Sequence, residues 1–135
     1  MTLPPPPEMR FGPLTITDFV RYAGASGDFN PLHHDPDFAQ AAGLPSVMAH
    51  GMLSAGLLGS FLSTWFGPGS VRRYKVRFSD RVWPGDVLIP QGQVVRTFAS
   101  PDGSESASLE LTLVRDGGGT VISGSAEIVV RGAGP

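Results

Sequence analysis

Cysteine is absent from the 135-residue chain, which excludes disulfide bonds and cysteine-ligated metal sites but leaves the redox compartment open. Charged residues are scarce, at 16% of the chain, and the formal net charge is only −2. Binding to nucleic acid or to an anionic membrane usually depends on an excess of basic residues, so we expect neither partner. The low charge fraction is a weak indication of surface buried between subunits.

The length fits one domain with its own core, and no repeat or linker divides the chain. The first residues include the run Pro4-Pro5-Pro6-Pro7, which predicts an extended arm over residues 1–10. We expect this arm to be a poorly ordered terminus and residues 11–135 to form the single domain. The start also lacks the basic, apolar and small-residue pattern of a secretory signal, so we expect a cytoplasmic protein.

One segment resembles a membrane span in length and composition. Val47 to Phe66 holds twenty residues with no charge apart from any on His50. Serine, threonine and three glycines interrupt it, and basic flanks are missing at its start. We therefore predict a helix from about His50 to Trp65 that is buried at the centre of a soluble fold.

Helical patterns dominate the first half of the chain and alternating patterns the second. Short helices are predicted from Thr17 to about Gly27, with Gly24 and Gly27 at its end, and from Pro36 to Ala42. Apolar and polar residues then alternate in four segments, 73–79, 87–97, 107–113 and 122–130, which predicts strands. Pro90 places the second strand at a sheet edge or a bulge. Helices followed by consecutive strands indicate an α+β fold with an antiparallel sheet.

The residues best suited to chemistry lie between Gly27 and Asp35. Asp28 and His33 are five residues apart, and Asn30-Pro31 between them predicts a turn. Such a turn could bring the carboxylate and the imidazole together to divide acid–base work. Gly51 follows at the predicted start of the long helix, where free backbone N–H groups can stabilise a negatively charged oxygen.

Each of these features also has a plainer interpretation. A turn of this kind with polar neighbours is usually only a loop, and His50 is most often a structural residue that fixes a helix start. His33, His34, Asp35 and His50 could also ligate a metal. Adjacent histidines tend to point apart, however, and no His-x3-His pair lies on one helix face. We therefore expect no metal.

Two segments together resemble a known family. They are Tyr22-Ala23-Gly24-Ala25-Ser26-Gly27-Asp28-Phe29-Asn30-Pro31-Leu32-His33-His34-Asp35 and Ala49-His50-Gly51-Met52-Leu53. The chain resembles the MaoC-like (R)-specific enoyl hydratases and 3-hydroxyacyl dehydratases from about Gly12 to the last strand. It is most similar to the short, single-hot-dog bacterial members, which include the catalytic subunit of the mycobacterial (3R)-hydroxyacyl-carrier-protein dehydratase. The resemblance implies a hot-dog fold, in which an antiparallel sheet wraps around a long central helix.

The same resemblance implies a hydro-lyase without a cofactor. Its reaction would be the reversible hydration of trans-2-enoyl thioesters, of CoA or acyl carrier protein, to (R)-3-hydroxyacyl thioesters in fatty-acid or related acyl metabolism. Asp28 and His33 would hold a water and transfer protons, and the Gly51 N–H would bind the thioester oxygen. A homodimer, or a heterodimer with a related hot-dog subunit, is expected. A thioesterase on the same fold and a non-catalytic subunit remain alternatives.

Other residues are candidates for substrate binding. Asn30 is expected to maintain the turn. Gly56 and Gly59 share one face of the long helix, where they either pack tightly on the sheet or leave room for an acyl chain. Related hydratases often carry a serine eight residues after the motif glycine, where this chain has Gly59.

A basic run in the first predicted strand could bind substrate phosphates or an acidic carrier protein. It comprises Arg72, Arg73, Lys75 and Arg77. Such a run is usually the solvated face of a strand, and both interpretations stay open.

Overall fold

The computed structural model describes residues 3–130; the remaining residues of the predicted arm and domain, 1–2 and 131–135, lie outside the described part. The helices are α1 (Ile16–Ser26), a short 3-10 helix (Pro31–His33), α2 (Pro36–Ala41) and α3 (Gly51–Phe66). The strands are β1 (Val71–Phe78), β2 (Leu88–Ala99), β3 (Glu105–Arg115) and β4 (Thr120–Val129). The predicted order of helices before strands is confirmed.

The four strands form one antiparallel sheet in the order β1-β4-β3-β2. Because β1 and β2 lie at opposite edges, their connection, residues 79–87, crosses the sheet from one edge to the other. Pro90 lies on the edge strand β2, as predicted. The irregularity in that strand falls later, between Val94 and Arg96.

Helix α3 packs its apolar face on one side of this sheet. Leu58, Phe61 and Leu62 are fully buried, and they meet the inward-facing side chains of β3 and β4. Burying one such side chain stabilises the fold by about 1.5–3 kcal/mol. Gly92 on β2 lets α3 approach closely, because a Cβ there would lie only 2.6 Å from Trp65 Cζ3. The sheet and helix thus form the α+β architecture predicted.

The boundaries of α1 differ from those predicted. The helix is capped by Thr15 rather than beginning at Thr17: the Asp18 N–H donates to Thr15 Oγ1 at 3.1 Å, and the Thr15 N–H donates to Asp18 Oδ2 at 2.8 Å. This reciprocal capping box satisfies two donors at the helix start. Gly27, with φ of 77°, ends the helix in the left-handed conformation, whereas Gly24 lies inside it.

The proline-rich arm packs against the domain, where the sequence predicts a poorly ordered terminus. The Trp65 indole N–H donates to the Pro4 carbonyl at 2.8 Å, and Leu3 and Met9 contact the core. Phe11 exchanges two backbone hydrogen bonds with Leu88 of β2, at 2.9 and 2.8 Å. The arm therefore extends along the fold from the end of α3 to the β2 edge.

Within residues 3–130, no helix combines the length and the hydropathy that crossing a bilayer requires. Helix α3 has sixteen residues, which is about 24 Å of helix.

Candidate active site

Two successive side-chain turns shape the loop that follows α1. Asp28 Oδ1 accepts a hydrogen bond from the Asn30 N–H at 3.2 Å, and Asn30 Oδ1 accepts one from the Leu32 N–H at 3.0 Å. In such turns the side-chain oxygen of Asp or Asn accepts a hydrogen bond from the backbone N–H two residues later, and the chain reverses direction locally. Asn30 therefore caps the 3-10 helix, as its predicted turn-keeping role requires, and the loop brings His33 back toward Asp28.

The structure places the predicted acid–base pair together. His33 Nε2 lies 3.9 Å from Asp28 Oδ2. This is too long for a direct hydrogen bond, but one water can contact both atoms. The His33 side chain is buried and the Asp28 carboxylate is about half exposed, so the carboxylate is open to solvent.

The tautomer of the neutral His33 ring follows from the hydrogen bond that its Nδ1 makes. Nδ1 lies 2.8 Å from the Met48 carbonyl oxygen, which can only accept a hydrogen bond. The neutral ring therefore carries its proton on Nδ1 and presents the Nε2 lone pair toward Asp28. Met48 is itself held by its N–H, which donates to the Leu32 carbonyl at 3.1 Å. His33 is thus oriented to accept a proton at Nε2.

His50 ties the loop to the start of α3. Its ring stacks on that of His33 with centroids 3.7 Å apart. The Tyr22 ring meets it edge-on, with centroids 4.8 Å apart. Nε2 of His50 donates to the Asp28 carbonyl at 3.0 Å. The side chain makes no cap hydrogen bond to α3, so it holds the loop of Asp28 rather than fixing the helix start. Its Nδ1 is buried without a hydrogen-bond partner among the described residues.

Gly51 begins α3 beside an open cavity. In the part of the chain that the structure describes, the N–H groups of Gly51 and Met52 have no hydrogen-bond acceptor. Such unsatisfied donors carry the positive end of the helix dipole. A cavity of about 470 Å³ lies against this end, and its walls include Met48, Gly51, Ser54 and Phe78.

The cavity and the acid–base pair are neighbours rather than one continuous pocket. Neither Asp28 nor His33 lines the cavity wall. Met48 joins the two, because it lines the cavity and its carbonyl holds the His33 ring. Together they provide a proton-transfer pair, a row of free N–H donors and space for a ligand at one end of α3.

The other wall of the cavity comes from the β1–β2 connection, which sequence reasoning misses. Ser79, Asp80, Arg81 and Val82 line it. Arg115 holds this segment, with Nη1 at 3.2 Å from Asp80 Oδ2 and Nε at 3.1 Å from Asp86 Oδ2. The Arg81 N–H, followed by the Arg115 side chain, lowers the pKa of Asp80 below its usual value. No local sequence signal indicates that this segment reaches the helix start.

The structure does not bring Gly56 and Gly59 to this cavity. A Cβ at Gly56 would meet no atom within 4 Å, and one at Gly59 would meet only Tyr74 Cε1 at 3.9 Å. Tight packing on the sheet therefore does not explain either glycine. Burial raises the pKa of Tyr74 to about 12, and its hydroxyl donates to the Ala55 carbonyl at 2.7 Å. Room for an acyl chain beside these glycines stays a prediction.

The predicted phosphate-binding residues also lie away from the cavity of their own chain. Arg73 and Lys75 alternate along β1 with the side chains that face α3, so they point to the opposite face of the sheet. Arg72 donates to the Gly69 carbonyl at 2.8 Å, at the end of β1 farthest from Phe78. Their role in substrate binding remains a prediction.

One cluster has the composition of a metal site but an unsuitable geometry. Ligand atoms of Asp28, His33 and His50 lie within 4.8 Å of one another. The two imidazole rings are stacked with centroids 3.7 Å apart and planes at 25°, so an ion in the plane of one ring would lie outside the plane of the other. The other two residues considered as ligands are engaged elsewhere: His34 Nε2 contacts the Phe29 carbonyl at 3.4 Å, and Asp35 caps α2. The cluster is better arranged for proton transfer.

An antiparallel sheet wrapped on a long central helix defines the hot-dog fold, and the fold class predicted from the sequence is confirmed. The chain belongs to the MaoC-like domain family, whose model matches residues 6–112. The R-hydratase PhaJ1 from Pseudomonas aeruginosa superposes with a TM-score of 0.83 at 27% identity, over 97% of this chain and 84% of that one. The (R)-hydratase from A. caviae superposes with a TM-score of 0.78 at 26% identity, over 96% of this chain and 98% of that one.

Among curated relatives, 3-hydroxyacyl-thioester dehydratase Y of Mycobacterium tuberculosis is 36% identical over 112 residues, which cover 74% of this chain and 39% of the dehydratase. The peroxisomal hydratase-dehydrogenase-epimerase of Saccharomyces cerevisiae is 44% identical over 63 residues, 47% of this chain and 7% of that protein. The chain thus spans well under two thirds of the length of these relatives.

Proposed function

We propose that the protein is a hydro-lyase that interconverts trans-2-enoyl thioesters and (R)-3-hydroxyacyl thioesters. The observation that best supports this proposal is the Asp28–His33 pair, with Nε2 of His33 3.9 Å from the carboxylate while its Nδ1 is engaged by the Met48 carbonyl. The relatives named hydratases and dehydratases support the same reaction class.

Hydration needs a water to add across a double bond that is polarised by the thioester carbonyl. A water held between Asp28 and His33 would give its hydroxyl to C3 and its proton to the pair, and the pair would return a proton to C2. As the C3–O bond forms, the electrons of the double bond move onto the thioester oxygen. The Gly51 N–H at the start of α3 would stabilise that oxygen. The atoms balance without a cofactor.

The substrate side of the proposal rests on space and apolar surface. Phe29, Met52 and Phe78 are large apolar side chains that stand exposed beside Asp28 and Gly51. Exposed apolar groups near a site favour an acyl chain or a second subunit as their cover. We therefore propose an acyl-CoA or acyl-carrier-protein substrate and a dimer, formed by two copies or with a related hot-dog subunit. A cytoplasmic location is also part of this proposal.

The test uses the purified protein and crotonyl-CoA. We expect loss of the enoyl-thioester absorbance without release of free thiol, and a product that is the (R)-3-hydroxy isomer on chiral analysis. Thiol release at the same rate would instead identify a thioesterase. Absence of both activities until a related subunit is added would identify a non-catalytic role for the isolated chain.

A further inference from the structure

Ser54 is a serine of the cavity wall that the proposed chemistry does not yet use. It lies on the first turn of α3, is 2% exposed, and lines the same cavity as Gly51. Among the described residues its hydroxyl has no hydrogen-bond partner. A hydroxyl on a cavity wall with no partner in the protein is suited to donate to a polar group of a ligand.

Ser60 of the same helix shows a different arrangement. Helical serines commonly donate to the carbonyl four residues earlier, and Ser60 does so, with Oγ at 3.1 Å from the Gly56 carbonyl. The carbonyl equivalent for Ser54 belongs to His50, which accepts the backbone N–H groups of Leu53 and Ser54 at 3.1 and 3.4 Å. The Ser54 hydroxyl makes no such bond, so it is available to the cavity.

We propose that Ser54 donates a hydrogen bond to the thioester oxygen of the substrate, beside the Gly51 N–H. Gly51 and Ser54 line the same cavity at the start of α3, so the backbone N–H and the hydroxyl would approach one ligand oxygen from the same element. This inference rests on the proposed function, because it names the second donor of that site. Gly59, where related hydratases often have serine, lies next to Tyr74 instead of the cavity.

The kinetic experiment compares Ser54→Ala, Ser54→Thr and the matched control Ser60→Ala on crotonyl-CoA. Removing one donor from an oxyanion site commonly lowers kcat by about a hundredfold or more. We expect kcat of Ser54→Ala to fall at least about tenfold with KM nearly unchanged, because the bond strengthens as charge develops on the oxygen. Ser54→Thr keeps a hydroxyl and should retain most activity, and Ser60→Ala should match the unmodified protein. Unchanged kcat in Ser54→Ala would overturn the proposal.

A spectroscopic measurement separates this inference from the proposed function. Butyryl-CoA, labelled with carbon-13 at its carbonyl, has no double bond to hydrate. Hydrogen bonding lowers its carbonyl stretching frequency, so infrared difference spectra should show a smaller lowering in Ser54→Ala than in the unmodified protein and Ser60→Ala. Equal shifts in all three, or no bound butyryl-CoA, would overturn the Ser54 proposal. If the protein fails to hydrate crotonyl-CoA while the shift still depends on Ser54, only the proposed function fails.

Discussion

The candidate site has two sides that differ in how their side chains are held, although the buried Nδ1 of His50 on the first side has no partner among the described residues. On the loop side, Asp28, Asn30, His33 and His50 are held by hydrogen bonds and by the stacked imidazoles. On the cavity side, within residues 3–130, the Gly51 N–H and the Ser54 hydroxyl lack partners, and Phe78 is exposed. Preorganised proton-transfer groups and unpaired donors are what a site needs when chemistry and substrate binding are divided between two elements.

The difference predicts how each side responds to mutation. Changes on the loop side should disturb the chemistry, because the groups there are already positioned before substrate binds. Changes on the cavity side should alter how the thioester carbonyl is held, either when substrate docks or as charge develops on its oxygen.

The largest effect is expected from the acid–base pair. Asp28→Asn and His33→Ala should each lower kcat/KM for crotonyl-CoA by at least about a hundredfold, the usual scale for a general acid–base group. The double variant should lose little more than the worse single variant, because the two groups act as a unit. His34→Ala, adjacent but exposed, is the matched control. A folded Asp28→Asn or His33→Ala protein with near-normal turnover would remove the pair from the mechanism.

A smaller loss on the loop side is expected at His50. His50→Phe keeps a ring to stack on His33 but leaves the Asp28 carbonyl without its donor, so we expect kcat to fall about tenfold with KM little changed. His50→Gln can restore an N–H in place of Nε2 and should recover part of this loss. Steady-state kinetics on all three proteins provide the comparison. Equal activity of the Phe variant and the unmodified protein would show that the hydrogen bond to Asp28 has no positioning role.

On the cavity side, bulk at Gly51 should impair substrate docking. A Cβ there would lie 3.2 Å from Phe78 Cε1, closer than side chains normally pack. Gly51→Val should therefore raise KM for crotonyl-CoA and weaken binding of butyryl-CoA measured by calorimetry. Adding Phe78→Ala removes the ring and should recover part of the binding. If Gly51→Val loses activity while its ligand affinity stays normal, docking of the carbonyl at this position is wrong.

The smallest effect is expected at Gly56. Nothing lies within 4 Å of a Cβ at this position, and alanine is favoured over glycine in a helix by about 1 kcal/mol. Gly56→Ala should therefore raise the thermal midpoint slightly and leave activity on crotonyl-CoA unchanged.

Gly59→Leu extends the same test to acyl-chain length. If the outer face of α3 accommodates an acyl chain, this variant should keep activity on four-carbon thioesters and lose it on eight-carbon ones. Equal losses at both lengths, with a lower thermal midpoint, would end the acyl-channel prediction.

Local sequence signals account for the loop side of the site. The Asn30-Pro31 turn, the five-residue spacing of Asp28 and His33, and the start of the apolar run at Gly51 are all short-range features, and each was interpretable without knowing the fold. The family resemblance then supplied the fold class. The capping residue Thr15 was missed because Thr17 presents an equally good local pattern two residues later.

The cavity side depends on contacts between distant parts of the chain. Phe78 meets Gly51 only because β1 runs back along α3, and the 79–87 connection reaches the helix start because β1 and β2 occupy opposite edges. Alternation along β1 predicts which side chains share a face, but it does not predict which end of α3 they approach. For this reason the sequence groups the basic residues of β1 with the site, whereas Arg73 and Lys75 point to the face of the sheet opposite α3.

The hydrogen bond from Trp65 to Pro4 gives the protein an intrinsic fluorescent reporter. The indole is almost fully buried at the end of α3 and is covered by the N-terminal arm. Only one other tryptophan, Trp83, is present, so Trp83→Phe leaves a single emitter. Release of the arm would expose the Trp65 indole to water and shift its emission to longer wavelength. Detachment of residues 3–10 can therefore be followed optically without any added label.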